Sequence, residues 1–297
     1  MELVADKAEA TQTPPTYSSP RISLYVQACI LFAVVILLYA RVVPPLVHQW
    51  LKDPNYSHGV LVPFCSLLLL WSSRKKWLAE PRVPSPTGLV LVIGAMGLLV
   101  VGLLGAELFL TRVSLCLLIG GLIVYFAGWR LLRLVLGPWM FLFLMVPLPV
   151  ILFNQIAFPL QILASRLAAF LIDLLHVPVL RDGNILMLPT MSLNIVEACS
   201  GLRSLMSLIT VAVFYSLFFE RRVWLRWVLV LAAVPVAVCT NALRITIAAL
   251  LAEYVNPQLA EGFFHAFSGL LLFILSLAVL AAVHWLGNRL DRGRSTV

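Results

Sequence analysis

Apolar runs long enough to cross a membrane recur from Leu24 to Leu286, and they leave this chain few ways to fold. A spanning helix needs roughly 20 mostly apolar residues, and in lipid only helices and closed barrels satisfy their own backbone hydrogen bonds. The short alternating segments of a barrel are absent. The chain is 62% hydrophobic and 11% charged, whereas a water-soluble domain carries about 25% charged residues. An all-α polytopic membrane protein follows. Its net charge of +8 calls for no nucleic-acid partner, because Lys and Arg collect in the cytoplasmic loops of such proteins.

The spans read from hydropathy are 22–43, 58–73, 87–106, 111–128, 133–152, 203–219, 224–252 and 263–286. Basic residues cluster at Arg74, Lys75, Lys76 and Arg82, at Arg130 and Arg133, at Arg221, Arg222 and Arg226, and at Arg289, Arg292 and Arg294. With Lys7 and Arg21 these make 14 of the 21 Lys and Arg. All fall on the cytoplasmic side if eight helices cross with both termini inside. A ninth crossing at 155–176 would put "ERRVWLR" outside. That segment, with Gln161, Ser165, Arg166, Asp173 and His176 near one face, therefore reads as an amphipathic helix at the outer interface or packed on the bundle. The other reading is a true span with a polar stripe facing a neighbour. Asp182-Gly183 between short apolar runs signals a small extracytoplasmic hairpin or loop.

Residues 1–21 read as a disordered cytoplasmic tail, 22–288 as the membrane domain and 289–297 as a short basic cytoplasmic tail. The tail is too long and too acidic for the basic region of a signal peptide. Five cysteines without paired spacing suggest neither a disulfide framework nor a zinc site, and no cofactor is expected.

On this topology three reactive side chains reach one leaflet. Cys199, in "NIVEACSGLRSL", sits just before the sixth span. Asn241 and Arg244, three apart in "CTNALRI", share a face of the seventh. Arg244 lies about eight residues from that helix's outer end, roughly 12 Å in. His265, in "EGFFHAFSG", opens the eighth. Taken singly, each has an ordinary explanation. A cysteine in a membrane helix is usually a small hydrophobe, as read for Cys29, Cys65, Cys116 and Cys239. A histidine at a helix start is usually interfacial, as read for His48, His176 and His284. An arginine that deep is costly without a partner or a wet cavity. Together they suit a thiol nucleophile: a cation stabilises the thiolate, an imidazole protonates a leaving amine, and a guanidinium steadies an oxyanion. No HExxH, no intramembrane aspartate pair and no GxSxG competes.

"EACSGLRSL", "NALRI" and "FHAFSG", in this order and spacing, resemble the signature segments of the exosortase/archaeosortase family. "DPNYSHGVLVP" (53–63) and "FLFLMVPLP" (141–149) resemble two earlier ones, so the likeness covers about residues 24–286. It implies a multi-pass cysteine peptidase and transpeptidase of the bacterial inner membrane, facing the periplasm. Its partners would be exported proteins ending in a short motif such as Pro-Glu-Pro, one transmembrane helix and a basic tail. The resemblance implies Cys199 as nucleophile with Arg244 and His265, and favours a role for His58. Glu197, Ser200, Arg203 and Asn241 form the supporting set, with Arg203 a candidate for docking an acidic motif. The competing readings are an envelope transporter in which Arg244 binds an anion, and an exopolysaccharide-export assembly factor whose cysteine is structural.

Overall fold

The computed structural model describes residues 20–189, 191–194, 202–255 and 263–294. It divides into two units at Val43/Pro44. The first contains helix α1 (Pro20–Tyr39), an apolar helix with no acidic residue in its first turn and no basic residue in its last.

The second unit is nearly all helical. It opens with α2 (Val43–Lys52), a 3₁₀ helix (Pro54–Val60) and α3 (Leu61–Ser72). Asp53 caps the 3₁₀ helix by accepting the Asn55 N–H at 2.9 Å. After the short α4 (Arg74–Ala79) come α5 (Thr87–Leu104) and α6 (Leu108–Ala127), an antiparallel pair. Glycines set their spacing: a Cβ at Gly102 would meet the Thr111 backbone nitrogen at 2.9 Å, and one at Gly121 the Val92 nitrogen at 3.0 Å. Small residues of this kind let membrane helices approach closely.

The stretch expected as one span at 133–152 is broken. It forms α7 (Trp129–Leu134), α8 (Leu136–Phe141) and a second 3₁₀ helix (Leu142–Met145), then an extended link through Pro147 and Pro149. Proline supplies no backbone donor and pushes the preceding residue out of helical geometry, which explains the break. Helix α9 (Val150–Leu174) follows. It has the length and hydropathy of a spanning helix, which suits the second reading of 155–176, and it starts at Val150 rather than at 155.

The polar stripe expected on that helix divides in two. Arg166, Asp173 and His176 are exposed, whereas Gln161 and Ser165 are buried. The buried pair holds the hairpin: Ser165 Oγ donates to Gly183 O at 3.2 Å, and Asn184 Nδ2 donates to Gln161 Oε1 at 3.3 Å. Strands β1 (Leu180–Asp182), β2 (Ile185–Met187) and β3 (Ser192–Asn194) form an antiparallel sheet in sequence order. Gly183 takes a positive φ of 56° at the first turn, where a side chain would be strained. Leu186 pairs across with Leu193, and both sink into a core with Ala164, Ala168 and Ile172 of α9.

Three long elements complete the unit: α10 (Leu202–Phe219), α11 (Val223–Tyr254) and α12 (Phe263–Arg294). Among the described residues five helices are long and apolar enough to cross a membrane. A sixth arises if Cys29–Tyr39 and Val43–Lys52 count as one broken span. α3, expected as the span 58–73, is helical over only 12 residues because the 3₁₀ helix takes its first turn.

Candidate active site

Helix α11 is the post on which the candidate site stands. Its buried face carries Ala233, Ala237, Val238, Ala242, Ile245 and Ala249, small and branched residues that admit neighbours on several sides. Ala233 and Ala237 share a cluster with Leu205 and Leu208, in the first turns of α10. Val238, Ala242, Ile245 and Ala249 share another with Leu186, Leu188 and Leu193 of the sheet region. Arg244 lies on α11 between Ala242 and Ala249, within the length that packs on the sheet region.

Helix α12 packs along α11 in a fixed register. Ser276 Oγ donates to Thr240 Oγ1 at 3.1 Å, and Leu272, Ser276 and Leu280 mark the buried row. Two turns before Ser276 the row reaches Gly269. A Cβ there would lie 3.5 Å from both Cζ and NH2 of Arg244, so the guanidinium rests flat against a glycine. His265 occupies the position one turn further along that row. The helix is described there, while the His265 side chain is outside the described residues.

Asn241 is buried at 6% exposure. Its Oδ1 accepts no hydrogen bond from the described residues, so it does not take one from Arg244 a turn away. Arg203, the second residue of α10, is exposed. His58 lies half-buried in the first 3₁₀ helix, with its Nδ1 buried and unbonded among the described residues. That 3₁₀ helix packs against α10, which brings "NYSHG" beside the helix that follows the cysteine segment. Cys199, Glu197 and Ser200 lie outside the described residues. They fall in the seven residues between the end of β3 and the start of α10, both of which pack on α11.

Two features escaped the sequence reading. The first is Arg112 in α6, 3% exposed, whose only sequence signal was a lone arginine inside an apolar run. The second is a polar network at the far end of α10, α11 and α12. His284, read as an interfacial residue, binds Tyr215 OH through Nδ1 at 2.7 Å and Glu220 Oε2 through Nε2 at 2.9 Å. Glu220 Oε1 accepts the N–H groups of Arg221 and Arg222, each at 2.7 Å, at the mouth of α11. Burial pushes the Glu220 carboxyl upward, but the Arg222 amide, His284 and the Arg221 amide outweigh it and hold it below the ordinary carboxylate value.

No curated protein and no solved structure matches this chain. The model of the transmembrane exosortase family does, over residues 50–282. That interval takes in the first 3₁₀ helix, the α5–α6 pair, the sheet, and the lengths of α11 and α12 that carry Arg244, Gly269 and His265. The chain therefore belongs to the transmembrane exosortase family.

Proposed function

We propose that this protein is an integral-membrane cysteine endopeptidase and transpeptidase that cuts the carboxy-terminal sorting signals of exported proteins. The observation that carries this reading is the Arg244 guanidinium seated on Gly269, one turn from His265. The cysteine segment leads into α10, whose first turns pack on Ala233 and Ala237 of the helix that carries Arg244.

The Cys199 thiolate attacks the carbonyl carbon of the scissile peptide bond, and Arg244 donates hydrogen bonds to the oxyanion that forms. The C–N bond then breaks, and the leaving amine takes a proton from the His265 imidazolium. The thioacyl enzyme passes its acyl group to an acceptor amine or to water, which frees the thiolate. Gly269 supports this arrangement because a side chain larger than a methyl group would compete with the guanidinium for space.

The basic clusters support a topology with both termini in the cytoplasm of a bacterial inner membrane and the site facing the periplasm. A substrate with one terminal span and a basic tail would stop with its tail inside. Its motif, of the Pro-Glu-Pro type, would then lie at the outer leaflet beside Cys199. Coexpression of Cys199→Ala with such a substrate tests the reading. Uncut substrate beside a normally inserted enzyme is expected, with processing reduced at least ~1,000-fold. Cleavage by the alanine variant would remove Cys199 from the role of nucleophile.

A further inference from the structure

Arg112 is a buried cation that meets no carboxylate at ion-pair distance among the described residues. It lies about one turn into α6 at 3% exposure. Phe109 and Cys116, three residues before and four after it, belong to the core built on Leu46, Trp50, Tyr56, Val62 and Met145. The guanidinium enters no ion pair and no side-chain hydrogen bond among the described residues. The titratable groups that act on it electrostatically are the Tyr56 phenol and the Glu107 carboxylate. Neither meets it in an ion pair. Tyr56 spends its hydroxyl proton on Leu148 O at 3.4 Å, and Glu107 caps α6 by accepting the Phe109 N–H at 3.1 Å.

A buried charge held this way costs several kcal/mol unless something compensates it, and an ionisable residue within a membrane helix marks function by default. What Arg112 lacks is an anion with a planar pair of acceptors, the geometry of a carboxylate. Its neighbour Tyr56 belongs to the 3₁₀ helix that packs against α10, so a group bound there lies one element away from the helix that follows Cys199. Arg203, which the sequence nominated for the same task, is exposed, where its charge is satisfied by water or lipid phosphate.

We infer that Arg112 is the carboxylate-recognition site for the substrate's sorting motif. This rests on the proposed peptidase reading for the identity of the substrate. Tyr56 forms the wall of the site. The guanidinium takes the acidic side chain bidentately, and an amide in its place loses the ionic component of the pair.

The test is a binding measurement that needs no turnover. Full-length Cys199→Ala enzyme in detergent is titrated with a fluorescein-labelled peptide carrying Pro-Glu-Pro and with its Pro-Gln-Pro twin. The acidic peptide is expected to bind about tenfold more tightly, and Arg112→Gln should erase that preference while leaving the amide peptide unchanged. Equal loss for both peptides, no acid preference with Arg112 present, or no binding of the acidic peptide at all would overturn the inference. So would an acid preference that depends on Arg203 instead. Should Arg112→Gln bind neither peptide, Arg112→Lys decides: a retained acid preference supports the site, and equal binding overturns it. If Arg112→Gln lowers only the retention of phosphatidylglycerol in nanodiscs, the anion is a lipid phosphate and the inference falls. Cleavage of the acidic peptide by the Cys199 enzyme is read separately. An Arg112-dependent acid preference without cleavage would leave this site standing and sink the peptidase reading.

Discussion

Arg244 and Gly269 face one another although they lie 25 positions apart in sequence. A Cβ at Gly269 would sit at ordinary van der Waals distance, 3.5 Å from the guanidinium, so Gly269→Ala is expected to process substrate within about twofold of the parent. Gly269→Leu has no such room. It should displace the planar head and cost at least ~10-fold in processing, equivalent to about 1.4 kcal/mol of transition-state binding. Arg244→Lys keeps the charge but loses the donor fork, and should impair processing as strongly while membrane insertion stays normal. Substrate-cleavage assays on matched membrane fractions check all three, and an active Gly269→Leu enzyme would separate Arg244 from the chemistry. The face shared by Asn241 and Arg244 was legible from spacing alone. The glycine seat was not, because nothing local in "FHAFSG" marks which residue meets an arginine on another helix.

Where a helix ends proved harder to read than where it lies. The hydropathy spans 87–106, 111–128, 224–252 and 263–286 all have helical counterparts, in α5, α6, α11 and α12. Long apolar runs without internal breaks permit little else. The failures have physical causes. Pro147 and Pro149 interrupt an apolar run that hydropathy treats as continuous, and the pairing of Gln161 and Ser165 with a hairpin turn depends on a partner 18 to 23 residues away. The turn between α10 and α11 is another such case, since Glu220 and His284 are 64 residues apart. Glu220 ties three helices together: it follows α10, accepts the two amides that lead into α11 and binds His284 on α12. Glu220→Gln should therefore lower the stability of the detergent-solubilised protein by about 1–3 kcal/mol at pH 7. The pH dependence follows from the direction of the shift. The folded carboxyl sits below the ordinary value of 4.5, so the folded state favours the carboxylate. Its contribution is complete above about that pH and disappears as pH falls through the lower folded value. Thermal melts of parent and variant should differ at neutral pH and converge below pH 4.5; a constant gap across that range would show that the carboxylate charge contributes nothing.

The charge count read from the arginine clusters requires the broken stretch to make a single passage. Gly137 faces Leu217, with 3.3 Å to a Cβ built there, Phe141 packs on Phe214 at 6.1 Å, and Ala157 shares a cluster with Leu205 and Leu208. The stretch from α7 into α9 thus runs antiparallel to α10 along its length, as one passage in pieces. The rest of α9 continues beside the sheet and the last turns of α11, past the level where α10 begins. Residues 129–174 thus follow one path beside α10 in pieces, along which the expected fifth span is divided and the helix expected at 155–176 begins at Val150. This arrangement predicts which thiol a membrane-impermeant maleimide reaches. Cys116 is buried and Cys65 partly so, while Cys29 and Cys239 are exposed on apolar helices whose surroundings are acyl chains. A charged reagent stays in water, so in intact spheroplasts it should label the parent enzyme and fail to label Cys199→Ser. It should also block processing in proportion to labelling, because the same sulfur is the proposed nucleophile. Labelling that persists in Cys199→Ser would place another cysteine in water and break the assignment of sides. Full labelling with processing intact would keep the topology but return Cys199 to a structural role, which is the outcome the transporter and assembly-factor readings require.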